Sequence, residues 1–391
     1  MKTGKMLALV LIGNIIDYFD FLLFAHLGFI ITPVFIPNLS TKEAHLISLA
    51  LFALPFIMRP LGGYIFGMLA DSTNRANALS ISVKWAGLAA MFIAYLPSYE
   101  EGGIICSIMF LFFRALQGLS LGGEYTTAGT FLMEHYKKDQ GFLSGLLGAS
   151  GTIGSLIAFA IAWFYYKNWV PQDFWRTAFF FGGVVSFISF FLRKYLHTKL
   201  PQGDPIDSVR PEYSNAVILT LLTGLLVGVT TWIPMAYSNY YLTKVLNLGA
   251  EIGLYATFIS LVSYVILTPL FGKLSDKYTA KSVMTIAALC VVPLGVVGFY
   301  LVAHGYLVGQ VLLTAAAASF GGPLHVFINR LFGKRHRSKN VNLCFMTGSA
   351  VGSLVPGFSG YMADKFQIEY MPVIILSVLG VLVFSVFRRV E

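Results

Sequence analysis

Six ionisable residues lie inside segments apolar enough to cross a lipid bilayer, and all six fall in the first third of the chain. They are three acids, Asp17, Asp20 and Glu124, and three bases, Arg59, Lys84 and Arg114. A charged side chain at the centre of a bilayer costs about 2.5–3.5 kcal/mol even on the mildest scale, so it is retained only where it is paired, hydrated or in use. Because the six formal charges sum to zero, they predict a paired network around a water-accessible path. No comparable Asp, Glu, Lys or Arg is expected in the second half.

The composition places most of the chain in a membrane. The 391 residues are 57% hydrophobic and only 12% charged, whereas about 25% of the residues in a soluble domain are charged. Apolar runs recur about every 30 residues, and each is near the ~20 residues that span a hydrocarbon core. Too little sequence remains for a separate catalytic or DNA-binding domain.

The apolar runs predict an all-α polytopic membrane protein with about twelve helices, numbered 1 to 12 in chain order. The polar stretch 197–214, with Pro201, Pro205 and Pro211, is the one long linker. It divides the chain into a six-helix bundle at 1–196, a cytoplasmic linker at 197–214 and a second bundle at 215–391. The predicted helices are 7–35, 46–70, 77–97, 103–134, 140–166, 174–196, 215–243, 249–274, 280–303, 306–332, 340–363 and 369–389.

The basic residues set the orientation. With both termini in the cytoplasm, nineteen of the 27 Lys and Arg residues fall on the inner side, Arg193 and Arg337 among them, and five on the outer side. This is the positive-inside bias of a bacterial inner-membrane protein, so the net charge of +9 does not indicate a nucleic-acid partner. The first apolar run is too long for a signal peptide and is interpreted as a retained helix.

Two short patterns recur between the halves. Gly67-x-Leu69-x-Asp71 after helix 2 recurs as Gly272-x-Leu274-x-Asp276 after helix 8, at an offset of 205 residues. The stretch 151–156 in helix 5 recurs at 349–354 in helix 11, at an offset of 198. Six-helix repeats of this kind are a known transporter architecture, in which a binding site lies between the repeats near the midplane.

Several motifs carry a family resemblance. The loop 67–75 resembles the signature loop between helices 2 and 3 of the major facilitator superfamily, and Arg114-Ala115-Leu116-Gln117-Gly118 resembles a second motif of that superfamily. Four further motifs resemble its metabolite:proton symporter branch, which imports proline, betaine, oxo- and tricarboxylates or shikimate. They are Asp17-Tyr18-Phe19-Asp20-Phe21, Arg59-Pro60-Leu61-Gly62-Gly63, Gly122-Gly123-Glu124 and Trp175-Arg176-Thr177-Ala178-Phe179.

The resemblance implies a gate at the two repeated loops, and the sequence departs from the usual pattern there. Ser72 and Asn74 stand where the superfamily usually has a basic residue and glycine, and the second loop has Thr279 and Ala280. Helix 5 lacks the Gly-Pro element that is typical of drug:proton antiporters, which argues against an exporter. The predicted gate residues are Gly67, Asp71, Arg75, Gly272, Asp276 and Lys277.

Helix geometry brings the candidate proton-coupling residues to similar depths. Asp17 and Asp20 share one face of helix 1 because they are three residues apart. Asp20 lies about 13 residues into helix 1, roughly 20 Å at 1.5 Å per residue, and Arg114 is about as deep from the other side. We expect Asp20 and Arg114 to pair and the acid to exchange protons as the bundles rock. Glu124 lies nearer the cytoplasm, as a proton exit or as a partner of Arg59 or Lys84.

Candidate substrate contacts come from both halves. Arg59 suits an acidic or zwitterionic substrate because arginine grips a carboxylate with two parallel hydrogen bonds. Aromatic faces in helix 7 suit ammonium groups by cation–π attraction, although Trp and Tyr are also ordinary interface anchors. The predicted substrate-binding residues are Arg59, Gln117, Trp232, Tyr237, Asn239 and Tyr240.

The sequence therefore predicts a proton-coupled secondary active transporter that imports a small carboxylate-bearing or zwitterionic metabolite. A larger ligand such as a siderophore, or export of a metabolite, stays open on the same fold, and the rival from another class is an intramembrane enzyme or receptor. The expected partners are the substrate, protons and the lipid bilayer, with no nucleic acid, and a monomer is expected. No metal-ligand spacing and no phosphate-binding loop is present, so we expect no cofactor and no metal.

Overall fold

The computed structural model describes residues 3–37, 41–194, 206 and 211–389. Most of the predicted linker, at 197–205 and 207–210, therefore lies outside the described residues. Twelve helices in the described part of the chain are long and apolar enough to cross a membrane, which confirms the predicted fold class.

The helix boundaries agree with the predicted ones to within a few residues. Helices 1 to 6 are Thr3–Phe35, Thr41–Ser72, Arg75–Tyr95, Ile104–His135, Gln140–Tyr166 and Phe174–Lys194, with a short turn of helix at Tyr99–Gly102. Helix 7 begins as Tyr213–Trp232, and helices 8 and 9 are Ala250–Lys277 and Ala280–Ala303. Helix 10 is Val308–Gly321 with Leu324–Arg330, helix 11 is Arg337–Ser353 with Val355–Phe366, and helix 12 is Met371–Arg389.

Helix 7 departs from regular α-helical geometry in its second half. After Trp232 it contains two π-helical turns, Ile233–Tyr237 and Tyr241–Val245, with Ser238–Tyr240 between them. Pro234 lies in the first of these turns, where its missing N–H removes one regular helical hydrogen bond. The wide turns coincide with the aromatic segment that the sequence singles out for substrate binding.

Two of the four residues that depart from the family pattern, Asn74 and Thr279, cap the helices that follow the signature loops. The side chain of Asn74 accepts a hydrogen bond from the Asn77 backbone N–H at the start of helix 3. Thr279 accepts one from the Ser282 N–H at the start of helix 9. Asn and Thr are favoured at this position because they satisfy a backbone donor left free at a helix start.

The chain packs as two compact units. One comprises Met1–Ala128 and Ser150–Lys199, and the other comprises Gly129–Ala149 and Leu200–Glu391. The end of helix 4 and the start of helix 5 thus pack with the second half of the chain.

Glycines set the closest helix contacts of the first unit. Helix 4 crosses helix 2 where Gly118 meets Pro55 and Gly122 meets the backbone of Arg59. Helix 5 meets helix 1 at Gly154, and helix 3 meets helix 6 at Gly87 and Gly183. Small residues at these crossings let the helix backbones approach closely in lipid.

The same three pairings recur within the second unit. Gly348 of helix 11 lies against Leu221 of helix 7, and Gly322 at the break in helix 10 lies against Gly272 of helix 8. Helix 12 meets helix 9 at Gly380. The two halves therefore repeat one packing scheme.

We predict that Gly122→Ala lowers thermal stability. Its Cβ would overlap the backbone of Arg59, and overpacking costs about 1–3 kcal/mol. A melting curve of the purified protein in detergent measures the effect.

Gly357→Ala is the matched control, because no atom lies within 4 Å of the position its Cβ would take. Alanine favours helix over glycine by about 1 kcal/mol, so this variant should melt at or above the parent temperature. Equal melting of the two variants would contradict the tight crossing of helices 2 and 4.

Candidate functional site

Five of the six predicted intramembrane charges are buried in the first unit. The exposed fractions are 3% for Asp17, 2% for Asp20, 5% for Arg59, 0% for Arg114 and 1% for Glu124. Such burial requires partners for each charge.

Asp20 and Arg114 are connected through the side chain of Gln117. The Gln117 amide Nε2 donates to Asp20 Oδ2 at 2.8 Å, and Arg114 Nη1 donates to Gln117 Oε1 at 2.7 Å. The guanidinium of Arg114 also lies 4.1 Å from the ring centre of Phe24. The structure thus places the predicted pair in one chain of contacts, and Gln117, predicted to bind substrate, is its middle member.

Arg193 organises a second cluster, with Asp17 and Glu124. Its Nη1 forms a close ion pair with Glu124 Oε1, and its Nη2 lies 3.8 Å from Asp17 Oδ2. Glu124 Oε2 also accepts a hydrogen bond from Ser82 at 2.8 Å. Arg193, rather than Arg59 or Lys84, is therefore the cation beside Glu124.

The burial of Arg193 corrects its assignment to the basic inner surface. It stands next to last in helix 6, yet its side chain is only 1% exposed. Gly13 of helix 1 leaves the space for the guanidinium, because a Cβ there would overlap Arg193. One feature of the sequence could have identified Arg193. It is an arginine close enough to the membrane interior for its long side chain to reach Asp17 and Glu124, for which the sequence alone assigns no definite basic partner.

Arg59 is held by aromatic rings. Its guanidinium carbon lies 4.2 Å from the ring centre of Phe56 and 4.8 Å from that of Phe21. Its Nε and Nη2 donate to no protein group. These two nitrogens form one edge of the guanidinium, which can bind both oxygens of a carboxylate.

Unsatisfied polar atoms concentrate in this part of the first unit. No protein group accepts a hydrogen bond from Nε or Nη2 of Arg59, Arg114 or Arg193. Likewise, no protein group donates to either carboxylate oxygen of Asp17 or to Oδ1 of Asp20. Folded proteins leave few buried polar atoms unpaired, and water or a ligand is the usual partner where protein groups are missing. The cluster therefore has the chemistry of a hydrated site for an anionic group and a proton.

Lys84 differs from the other five charges because it is only half-buried. Its ammonium lies 5.7 Å from the ring centre of Phe190. It lines a crevice between helices 3 and 6 that also reaches Arg193.

The aromatic residues of helix 7 bond within the second unit. The Tyr237 hydroxyl donates to the backbone carbonyl of Glu369 at 2.9 Å, and the Tyr241 hydroxyl donates to the Glu369 carboxylate at 2.9 Å. The Asn239 amide donates to Thr257 at 3.1 Å. Glu369 was not identified from the sequence as the partner of these tyrosines, because it lies in the loop before helix 12.

Tyr240 and Trp232 are more accessible than Tyr237. Both are half-buried, whereas Tyr237 is 1% exposed. The Tyr240 hydroxyl lies 3.5 Å from the Gly360 carbonyl oxygen, which makes it the more available of the two tyrosines.

The two signature loops use their aspartates differently. In the first loop, Asp71 Oδ1 accepts from Arg75 Nη1 at 2.8 Å, and the same nitrogen donates to the Ala70 carbonyl at 2.7 Å. The loop is therefore braced across its own turn, with Gly67 buried at its start.

In the second loop, Asp276 binds the start of helix 5. Its carboxylate accepts from the Gly141 N–H at 2.6 Å and from the Phe142 N–H at 2.9 Å. An anion at a helix start satisfies free donors and complements the helix dipole. Gly272 lies directly against Gly141, whereas Lys277 is exposed beside Tyr278.

A further buried ion pair lies in the second unit. Arg337 Nη1 is 3.4 Å from Glu134 Oε1, and both side chains are 0% exposed. Arg337 also donates to the Phe332 carbonyl at 3.1 Å. This buried arginine corrects the expectation that the second half holds no comparable charge.

Comparison with known proteins identifies the family. The family model of the Major Facilitator Superfamily matches residues 11–263 and 219–391. The glycine betaine/proline/ectoine/pipecolic acid transporter OusA of Dickeya dadantii (strain 3937) is 24% identical over 409 residues, covering 97% of this chain and 82% of the relative. The proline/betaine transporter of Escherichia coli (strain K12) is 24% identical over 408 residues, with the same coverage of 97% and 82%.

The fold matches a solved member of the superfamily. The proton:xylose symporter XylE of E. coli aligns with a TM-score of 0.76 at 18% identity, covering 98% of this chain and 94% of that chain. At this identity the likeness shows the fold. The chain belongs to the Major Facilitator Superfamily and is a multi-pass membrane transporter rather than an enzyme, as the sequence predicted.

Proposed function

We propose that the protein imports a small zwitterionic metabolite of the proline and glycine betaine type together with protons. The observation that carries this proposal is the buried group of acids and arginines in the first unit, with its unused donors and acceptors. The relatives named as glycine betaine and proline transporters support the substrate class.

Arg59 is proposed to bind the substrate carboxylate. Its free edge, Nε and Nη2, matches the two oxygens of a carboxylate, and the flanking rings of Phe21 and Phe56 hold the guanidinium in place. Aromatic residues of helix 7, with Tyr240 and Trp232 the more accessible, are proposed to contact the ammonium end by cation–π attraction.

Asp20 is proposed to carry the coupling proton. Oδ2 is occupied by the Gln117 amide, so Oδ1, which has no partner, is the oxygen available for protonation. Gln117 also accepts from Arg114. A change in the position of Arg114 therefore alters the electrostatic potential at the Asp20 carboxylate. Substrate binding that moves Arg114 would in this way change the affinity of Asp20 for a proton.

The remaining assignments follow the family architecture. We propose that both termini are cytoplasmic, that the protein is a monomer in the bilayer, and that the two six-helix halves alternate access by rocking. Gly67, Asp71, Arg75, Gly272, Asp276 and Lys277 are proposed to form the gate. The interaction of Asp276 with the start of helix 5 supports a gating role for the second loop.

Proteoliposome uptake tests the function. With the lumen alkaline relative to the bath, we expect labelled glycine betaine or L-proline to accumulate above its external concentration, and an uncoupler to abolish the accumulation. Accumulation only with the opposite gradient would indicate antiport and contradict import. Xylose is the control solute, because the chain shares its fold with a xylose symporter. We expect no accumulation of xylose.

Replacing Asp20 by Asn should abolish gradient-driven accumulation while sparing part of the exchange of internal for external substrate, because the amide cannot take up the proton. Asp173→Asn is the control, because Asp173 is exposed in the loop before helix 6. Unimpaired uphill uptake by the Asp20 variant would reject Asp20 as the coupling residue.

Arg193→Gln should lower both stability and coupling. Removing one partner of a buried ion pair costs about 3–5 kcal/mol, because the other charge is left uncompensated. The melting temperature should fall for this variant and recover in large part in Arg193→Gln/Glu124→Gln, whereas proton-driven uptake should remain lost in both. Arg388→Gln, at an exposed position in helix 12, is the control. Full uptake by the double variant would show that the cluster is structural only.

A further inference from the structure

We propose that the crevice between helices 3 and 6 is a water-filled passage for protons, leading from the membrane surface to the Asp17–Arg193–Glu124 cluster. The inference rests on the proposed proton coupling and adds a route to it. In this route protons reach the cluster from the side of the first unit, apart from the substrate path.

The crevice has room for a chain of water molecules. Its volume is about 380 Å³, and a water molecule occupies about 30 Å³ in the liquid, so it holds on the order of ten. Asn77, Ser80 and Lys84 supply polar groups from helix 3, and Phe190 and Arg193 line it from helix 6.

The lining residues show where the crevice begins and ends. Ala76, Ser80 and Lys84 are four residues apart and lie on one stripe of helix 3, because such residues share a helix face. The stripe starts in the first turn of the helix and continues for about 12 Å at 1.5 Å per residue. The crevice thus extends inward from the membrane surface at which helix 3 begins.

Lys84 favours water over lipid in this crevice. Within the part of the chain that the structure describes, its ammonium forms no ion pair within 4 Å. Lys84 Nζ lies 5.7 Å from the ring centre of Phe190. A charged ammonium facing hydrocarbon alone is costly, whereas a wet crevice hydrates it. A lipid phosphate could also neutralise Lys84, and cysteine labelling in the crevice distinguishes water from lipid.

Arg193, which lines the crevice, adjoins buried polar atoms that lack protein partners. Its Nε and Nη2 donate to no protein acceptor, and neither oxygen of the adjacent Asp17 receives a hydrogen bond from the protein. Water entering beside Arg193 would satisfy these four atoms, since buried waters typically bridge such groups. Glu124, bound to Arg193 on its other side, would then exchange protons through the same water.

Cysteine labelling tests whether the crevice is wet. Cys106, Cys290 and Cys344 are first replaced by Ser, and single cysteines are introduced as Ile81→Cys in the crevice or Ile188→Cys outside it. Both isoleucines are six residues from the end of their helix on the same side, and Ile188 is 52% exposed on the outer face of helix 6. Depth and residue type are therefore matched.

A permanently charged methanethiosulfonate should modify Ile81→Cys at least about tenfold faster than Ile188→Cys, because thiols react as thiolates and a charged reagent does not enter hydrocarbon. A neutral maleimide should label both variants after unfolding in SDS, where both thiols can ionise. If Ile81→Cys reacts with the neutral reagent only, the crevice is occupied by lipid and the proposal is overturned.

Transport by the labelled protein tests whether protons use the crevice. Modification of Ile81→Cys should reduce uptake of glycine betaine driven by a pH gradient about tenfold and leave exchange of glycine betaine intact, and dithiothreitol should reverse the loss. Undiminished gradient-driven uptake after full modification would overturn the proposal. If the cysteine-free parent shows no proton-driven uptake, the proposed function fails instead, and the labelling contrast still decides whether the crevice is wet.

Discussion

The first unit depends on compensating charge inside a low-dielectric environment. Arg193 reaches inward from the end of helix 6 to Glu124 of helix 4 and Asp17 of helix 1, and Ser82 of helix 3 completes the shell of Glu124. Four helices are thereby connected through one guanidinium, for which Gly13 leaves the space. Since an uncompensated charge there would be expensive, the helix packing and the ion pairs depend on each other.

The fold was predictable because hydrophobicity and length decide it. Each apolar run has to satisfy its own backbone hydrogen bonds in lipid, which leaves the helix as the available form, and the observed boundaries lie within a few residues of the predicted ones. The neighbourhood of Asp20 and Arg114 was also predictable, since residue counts give depth. The insertion of Gln117 between them was not, because it depends on how helices 1 and 4 are rotated and on side-chain conformation.

The residues that sequence reasoning missed have long side chains or lie in loops. Arg193 and Arg337 were counted by the position of their backbone, at a helix end and in a basic stretch, whereas their guanidinium groups lie in the protein interior. An arginine side chain is long enough for its charge to lie several ångströms deeper in the membrane than its Cα. The positive-inside rule counts residues by the position of the backbone alone. Glu369 was missed for a different reason, because its partners, Tyr237 and Tyr241, come from a helix 128 or more residues away.

The two wide turns of helix 7 give this segment a property that a regular helix lacks. A π turn accommodates one residue more than an α turn, so moving a wide turn along the helix shifts the register of the residues it passes by one position, or about 100° of rotation. Tyr237 and Tyr241 lie within the two wide turns, and their hydroxyls are held on Glu369. Releasing that hold would let the tyrosine rings swing around the helix axis while the helix itself stays continuous.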